Sequence, residues 1–320
     1  MRRSTFIAAL AGLSMFCHLA AAQDANPPIR LLVGFSAGGA LDSVARAVAD
    51  RLRVTLNQPV IVDNKPGAAQ RLALSEIKRA KPDGLTLILA NSSPFIIFPH
   101  VYKKLEFDPV KDFTPVAGVA NFALCIAVGP KAPKGNLKEL IAWAKANPQE
   151  AAYATSGAGQ MGHFLGLMFS NISGTAFTHV PYKGGTPAMT DLVGGQIPMM
   201  IDTILEPMEM AKSGKIRIVA VPGDKRLEVL PDVPTIRESG FDLSAEGFVG
   251  IYGPPGLPRD KVERLDKALK EALASPELRN RIQQYAMSPA YASPEALAQR
   301  QAAGLAKWEA PIKASGFTAD

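Results

Sequence analysis

Three short segments combine small residues, hydroxyls and a helix start in a way that suits capture of an anion. Gly34-Phe35-Ser36-Ala37-Gly38-Gly39 follows an apolar run and precedes residues with helical periodicity. Thr155-Ser156-Gly157-Ala158-Gly159-Gln160 repeats that arrangement. Lys183-Gly184-Gly185-Thr186-Pro187 does so again and leads into Ala188, with Thr186 expected as N-cap and Pro187 at the first helical position. Small residues let a ligand approach the main chain, and the unpaired N–H groups and positive dipole end of a helix favour negative charge. The same residues also suit ordinary tight turns between strand and helix. It is their recurrence that points to a cleft.

Reactive chemistry is harder to assemble. Gly157-Ala158-Gly159-Gln160-Met161-Gly162 matches a dinucleotide fingerprint, but no acidic residue follows about 20 residues on, where a ribose would need one; the segment there reads Phe177-Thr178-His179-Val180-Pro181. His100, His163 and His179 lack metal-ligand spacing. Ser36 and Ser156 do not sit in G-x-S-x-G elbows, so a hydrolase built from Ser156 and His163 has little sequence support. His163 is expected on the helix after its glycine turn, as a polar lining or a packing residue. Asp42 falls in a first helical turn, where it either complements the dipole or meets ligand. Asp202 follows the apolar Pro198-Met199-Met200-Ile201 at a strand's end, where it either orients a turn or accepts from a ligand's amine or hydroxyl. No cofactor is expected.

The elements that must position these groups alternate. Apolar strands at Ile29–Phe35, Val60–Val62, Leu85–Ala90, Ala152–Thr155, Ala176–Val180 and Gln196–Ile201 are interleaved with helical patterns, which predicts parallel sheets covered by helices. The tail reads as helices at Lys261–Ala274, Pro276–Tyr285 and Pro294–Lys313, with little strand between them. A long apolar stretch, Val116–Val128, and a later apolar segment, Phe248–Tyr252, are placed to carry the chain from one sheet to another and back. That predicts a discontinuous first lobe, residues 23–122 plus 248–320, and an inserted second lobe, residues 123–247; a simple division near residue 130 is the alternative. The net charge of +6 is spread out, and the densest basic cluster, Lys78-Arg79-Ala80-Lys81, has no interleaved aromatics, which argues against a nucleic-acid partner. Arg2 and Arg3, the apolar Phe6–Leu19 and the small Ala20-Ala21-Ala22 read as an export signal over residues 1–22, cleaved near Ala22, with no direct membrane anchor. Cys125 is then the remaining cysteine and is expected as a small core residue.

Taken in order, the motifs resemble the solute-binding receptors of the tripartite tricarboxylate transporter family, the Bug-type extracytoplasmic receptors. They are Phe35-Ser36-Ala37-Gly38-Gly39 with Asp42 and Arg46, Val62-Asp63-Asn64-Lys65-Pro66-Gly67-Ala68, Lys81-Pro82-Asp83-Gly84, Phe107-Asp108-Pro109-Val110-Lys111-Asp112-Phe113, Ser156-Gly157-Ala158-Gly159 with His163, His179-Val180-Pro181-Tyr182-Lys183-Gly184, Gly194-Gly195-Gln196, and Leu230-Pro231-Asp232-Val233-Pro234-Thr235. The resemblance spans essentially the whole chain after the export signal. It implies an α/β, two-lobed periplasmic-binding-protein fold of type II (a Venus flytrap) with two crossing strands. It also implies a periplasmic, monomeric receptor that is not an enzyme and closes on a small organic acid or amino acid. Its partner is a membrane permease; presentation of the ligand to a sensor kinase is the alternative role, and an exported serine hydrolase the remote one. The family's ligand loops fall on Phe35–Gly39, Asn91-Ser92-Ser93, Ser156–Gln160 and Gly184–Ala188, with Asp202 near the pocket. Ser36-Ala37 stands where two prolines are common, Ala69-Gln70 replaces a usual glycine pair, and Gln160 replaces a serine or threonine. Phe35 and the Phe95–Phe98 stretch suit an aromatic or aliphatic ligand body, whereas Asp202 and Gln160 suit an amine or hydroxyls, so the identity of the ligand stays open at this point.

Overall fold

The computed structural model describes residues 26–182 and 184–319; the expected leader and Lys183 lie outside them. The chain begins with a parallel unit. Strand β1 (Ile29–Val33) pairs with β2 (Val60–Asn64) on one side and β3 (Thr86–Asn91) on the other. Helix α1 (Ala40–Leu56) crosses between β1 and β2 and buries Leu41, Val44, Ala45, Val48, Ala49 and Leu52, the stripe its periodicity announces. It stops at Asn57, a left-handed residue whose N–H returns to the last turn. Between β2 and β3 a 3-10 turn at Ala68–Gln70 leads into α2 (Arg71–Lys78). Two short helices, α3 (Ser93–Ile96) and α4 (Phe98–Val101), follow β3.

The chain then leaves this sheet. The long apolar run of the sequence is two strands, β4 (Thr114–Phe122) and β5 (Leu124–Val128), separated at Ala123. β4 stays in a six-stranded sheet of order β11-β4-β10-β3-β1-β2, whereas β5 belongs to a five-stranded sheet of order β7-β6-β8-β5-β9. The second sheet comprises β5, β6 (Ala152–Thr155), β7 (Thr178–Pro181), β8 (Met199–Thr203) and β9 (Arg217–Ala220), interleaved with α5 (Leu137–Ala146), α6 (Met161–Ser173), α7 (Gly185–Val193) and α8 (Leu205–Lys212). Its β6, β7 and β8 are parallel, and β5 runs antiparallel to β8. Strand β10 (Gly247–Gly253) returns to the first sheet, antiparallel to both β3 and β4. The result is two α/β lobes joined by crossing strands.

The C-terminal region differs from its sequence reading in one element. Helices α9 (Arg259–Ala274), α10 (Pro276–Gln283) and α11 (Pro294–Ser315) are present, but a sixth strand, β11 (Met287–Ala292), lies between the last two and forms the sheet edge against β4. Met-Ser-Pro-Ala-Tyr-Ala alternates poorly and contains Pro289, which an edge strand tolerates because one side of its ladder is unpaired. A second difference affects the expected ligand body site. Phe95, Ile96, Ile97 and Phe98 are all buried in the core, where Phe95 stacks on Tyr252 at 4.1 Å and meets Phe113 edge-on. They are core packing residues. Cys125 is a buried free thiol whose pKa is pushed up by desolvation, as suits a packing residue.

Candidate ligand-binding cleft

The turn after β1 is held from beneath by one carboxylate. Asp42, in the first turn of α1, is 2% exposed and accepts from the Gly38 N–H at 2.8 Å, from Arg46 Nε at 3.0 Å and from Asn64 Nδ2 at 2.9 Å. Asn64 Nδ2 also donates to the Phe35 carbonyl at 3.1 Å. Burial alone would raise the Asp42 pKa; the hydrogen bonds from Arg46, Gly38 and Asn64 outweigh it, so the pKa is lowered. Asp42 therefore fastens the loop, and the ligand-contact alternative gives way to a positioning role. Phe35, Ser36, Ala37, Gly38 and Gly39 are all exposed above it, and Gly39 is the N-cap of α1 with no side-chain cap.

A mirrored arrangement occurs in the second lobe. Asp202, at the end of β8, is 7% exposed and accepts from the Ser156 N–H and the Thr203 N–H, each at 2.7 Å. Ser156 in turn accepts from the Gly184 N–H at 2.9 Å, which ties the second and third turns together. Burial raises the Asp202 pKa, opposed by the Thr203 and Ser156 hydrogen bonds and reinforced by the nearby charge of Glu206. Of the two roles open to Asp202, turn orientation is the one its contacts perform.

Gln160 is the N-cap of α6 and half-buried, while Gly157 is likewise half-buried and Gly159 buried. The Gly159 N–H donates to His163 Nδ1 at 3.2 Å, which makes that nitrogen the acceptor of a neutral ring. His163 stacks on His179 with centroids 3.9 Å apart, and His179 Nε2 bonds Thr155 Oγ1 at 2.8 Å. Phe317, from the C-terminal segment, meets His163 edge-on at 5.0 Å. Desolvation pulls both imidazoles down to about 4. His163 thus packs at the contact between the second lobe and the C-terminal segment.

The helix after the third turn starts two residues earlier than its sequence suggests. α7 begins at Gly185 with Gly184 (φ +113) as N-cap, so Thr186 lies inside the first turn; its hydroxyl donates to Glu206 Oε1 at 2.9 Å instead of capping. Pro187 is exposed and Ala188 fully buried, which makes Ala188 a packing residue.

Among Asn91, Ser92 and Ser93, the two serines are buried; Ser92 Oγ accepts from the Phe248 N–H at 3.3 Å. Asn91 Oδ1 accepts from Gln70 Nε2 at 2.8 Å and from the Ser93 N–H at 3.2 Å. Gln70, which the sequence marks only as part of the Ala69-Gln70 pair in place of glycines, thus fixes Asn91. Ala69 (φ +52) and Gln70 (φ +76) both occupy left-handed backbone that glycine prefers, which accounts for a glycine pair being usual here.

One cavity of about 290 Å³ lies between the lobes. Phe35, Gly39 and Asn91 line it from one side, with Ala40 and Leu41 of α1; Thr203, Ile204 and Leu205 face them from the start of α8. The crossing strands and their junction supply Phe122, Ala123 and Val249, and the turn into β11 with its first residue supplies Tyr285, Ala286 and Met287. Ser156–Gln160 and Gly184–Ala188 do not line this cavity; they connect to its edge through Asp202, whose neighbour Thr203 does. The walls from α8 and from Tyr285–Met287 carried no sequence signal, being apolar residues of ordinary helix and strand ends. Among the described residues, no group of three His, Cys, Asp or Glu side chains is placed to hold a metal ion, and no helix is long and apolar enough to cross a membrane.

Two mixed-sheet lobes linked by crossing strands, with paired strand-to-helix turns at their junction, define a type II periplasmic-binding-protein fold. Residues 44–317 match the tripartite tricarboxylate transporter family receptor, and the chain belongs to that family. A relative described as the UPF0065 protein in the gbd 5′ region of Cupriavidus necator is 33% identical, over 98% of this chain and 96% of its own. The solved periplasmic binding protein BugD is 33% identical, with a TM-score of 0.76 over 91% of this chain and 98% of its own. Rpa4515 of R. palustris, solved with adipate, is 29% identical, with a TM-score of 0.80 over 91% of this chain and 98% of its own. The chain is accordingly a Bug-type periplasmic solute-binding receptor of a non-catalytic family.

Proposed function

We propose that this receptor captures a small organic carboxylate between residues 23–122 plus 248–320 on one side and 123–247 on the other, and delivers it to the membrane permease of a tripartite transporter. The ligand's carboxylate meets the main chain of Ser36–Gly39 and Ser156–Gln160 through N–H groups other than those of Gly38, Ser156 and Gly159, which already bond Asp42, Asp202 and His163, with Asn91 and Gly184–Thr186 at the margin. Asp42 and Asp202 serve as the buried props that keep the two turns in place. The observation that carries this reading is that pairing: each lobe offers a strand-to-helix turn fastened by one buried carboxylate, so both turns are rigid before a ligand arrives. Preorganised main-chain donors bind an anion without reorganisation cost. A carboxylate ligand in a structural relative, adipate, supports the ligand class. Residues 1–22 fit an export signal cleaved near Ala22, and the receptor acts as a monomer. Presentation to a sensor kinase would use the same closure.

The test is a thermal-shift panel on protein freed of copurified ligand, with dicarboxylates, tricarboxylates, acidic amino acids and monocarboxylates. A ligand present at 100 times its dissociation constant stabilises by about 2.7 kcal/mol. A shift for at least one acid and none for matched neutral amides is the expected outcome. No shift with any acid overturns the reading.

A further inference from the structure

We infer that the cavity between the starts of α1 and α8 is a subsite for the apolar body of the ligand, and that the preferred ligand is an organic acid with an alkyl or aryl portion and not a densely hydroxylated one. This rests on the carboxylate-receptor reading and specifies its substrate class.

The cavity's composition is the first support. Both lobes and both crossing strands contribute, and Leu41, Phe122, Ile204, Leu205, Val249 and Met287 dominate its wall. The polar side chains at its surface are Asn91, Thr203 and Tyr285. The Asn91 amide oxygen is already occupied by Gln70 and Ser93. Few side-chain groups are therefore left to replace the water of a sugar acid or hydroxy acid, and burying hydroxyls without partners is unfavourable.

Size is the second. A dry cavity of about 150 Å³ accommodates benzene, so about 290 Å³ holds a phenyl ring with a short chain, or a straight chain of comparable volume.

Position is the third. Gly39 and Ala40 at the cavity edge are the N-cap and first residue of α1, a helix of 17 residues with no side-chain cap. A carboxylate held by the Ser36–Gly39 main chain therefore points its attached carbon chain directly into the apolar space. Phe35, 37% exposed at the mouth, is the one large aromatic on that loop and flanks the entering chain.

A chain-length series tests this. Calorimetric titration of ligand-free protein with straight-chain monocarboxylates from butyrate to octanoate, with 3-phenylpropionate and malate alongside, reads the subsite directly. Affinity is expected to rise about fourfold per buried methylene until the space is full, with 3-phenylpropionate at least tenfold tighter than malate. Ala40→Leu, which fills the cavity from α1, and Leu205→Asn, which makes its far wall polar, are each expected to flatten the series. A circular-dichroism melt on each variant confirms that it folds, and the wild-type series stands alone if one does not. A flat or falling series with malate bound overturns the subsite and leaves the receptor reading intact. Absence of binding by every acid overturns both.

Discussion

Stability at mildly acid pH should be governed by the stacked histidines His163 and His179. Both are neutral in the folded protein, their pKa lowered from 6.5 to about 4 by desolvation, with His163 adding to the effect on His179. The groups that face them, Tyr153, Thr155, Phe164, Gly159 and Phe317, carry no charge to compensate a proton. In the unfolded chain each ring protonates near 6.5, so below that pH the unfolded state binds more protons and stability falls. The contribution is complete above 6.5 and is lost progressively as pH drops toward 4. Between pH 7 and pH 5 the difference is about 2 kcal/mol per ring, and up to about 4 kcal/mol for the pair. That is a large part of a typical domain stability of about 5–15 kcal/mol. The perturbation that isolates it is the double substitution His163→Asn with His179→Gln. These place an acceptor where Nδ1 meets the Gly159 N–H and an amide where Nε2 meets Thr155. Urea unfolding at pH 7, 6 and 5 supplies the free energies. The wild type should lose stability over this range by about 2–4 kcal/mol more than the double variant. Parallel pH profiles for the two proteins would refute the reasoning.

Three further outcomes follow, two from the carboxylates beneath the turns and one from the left-handed backbone at Ala69. Asp202→Asn leaves one of two N–H groups, Ser156 or Thr203, facing an amide NH₂ in place of an oxygen; urea unfolding should register a loss of about 1–3 kcal/mol, and calorimetry a weaker affinity for whichever acid binds. Because the Asp42 pKa is lowered, its contribution is present above the unfolded value of 3.8 and lost as pH falls below it; at pH 7 Asp42→Asn should destabilise by about 1–2 kcal/mol and speed amide exchange at Gly38. Ala69→Gly removes a left-handed alanine whose backbone costs about 1–2 kcal/mol, offset by about 0.5–1 kcal/mol of glycine entropy, so a melting temperature equal to or slightly above wild type is expected, with any clear drop counting against strain there.

Much of the architecture could be read from residue order because local signals agreed with the final fold. The α1 stripe, the apolar β1 and β3, and the glycine turns each carry their own periodicity or turn chemistry. What stayed hidden depended on partners distant in sequence. β11 contains Pro289 and lacks alternation, and it is a strand because β4 offers a free edge. Phe95–Phe98 resembles a ligand-facing apolar patch until Tyr252 and Phe113 cover it. Thr186 looks like a cap until Glu206, twenty residues on, takes its hydroxyl. The roles of Asp42 and Asp202 were open for the same reason: a carboxylate near a glycine turn either receives ligand or holds the turn, and only the positions of Gly38, Asn64, Ser156 and Thr203 decide.

The central claim is that two lobes shut on an acid, and small-angle scattering tests it most directly. The radius of gyration is to be measured on protein stripped of ligand and again with a saturating acid from the thermal-shift panel. A decrease on saturation, toward the value of about 20 Å for a compact chain of this length, is the predicted result. An unchanged radius with the acid demonstrably bound would contradict the account.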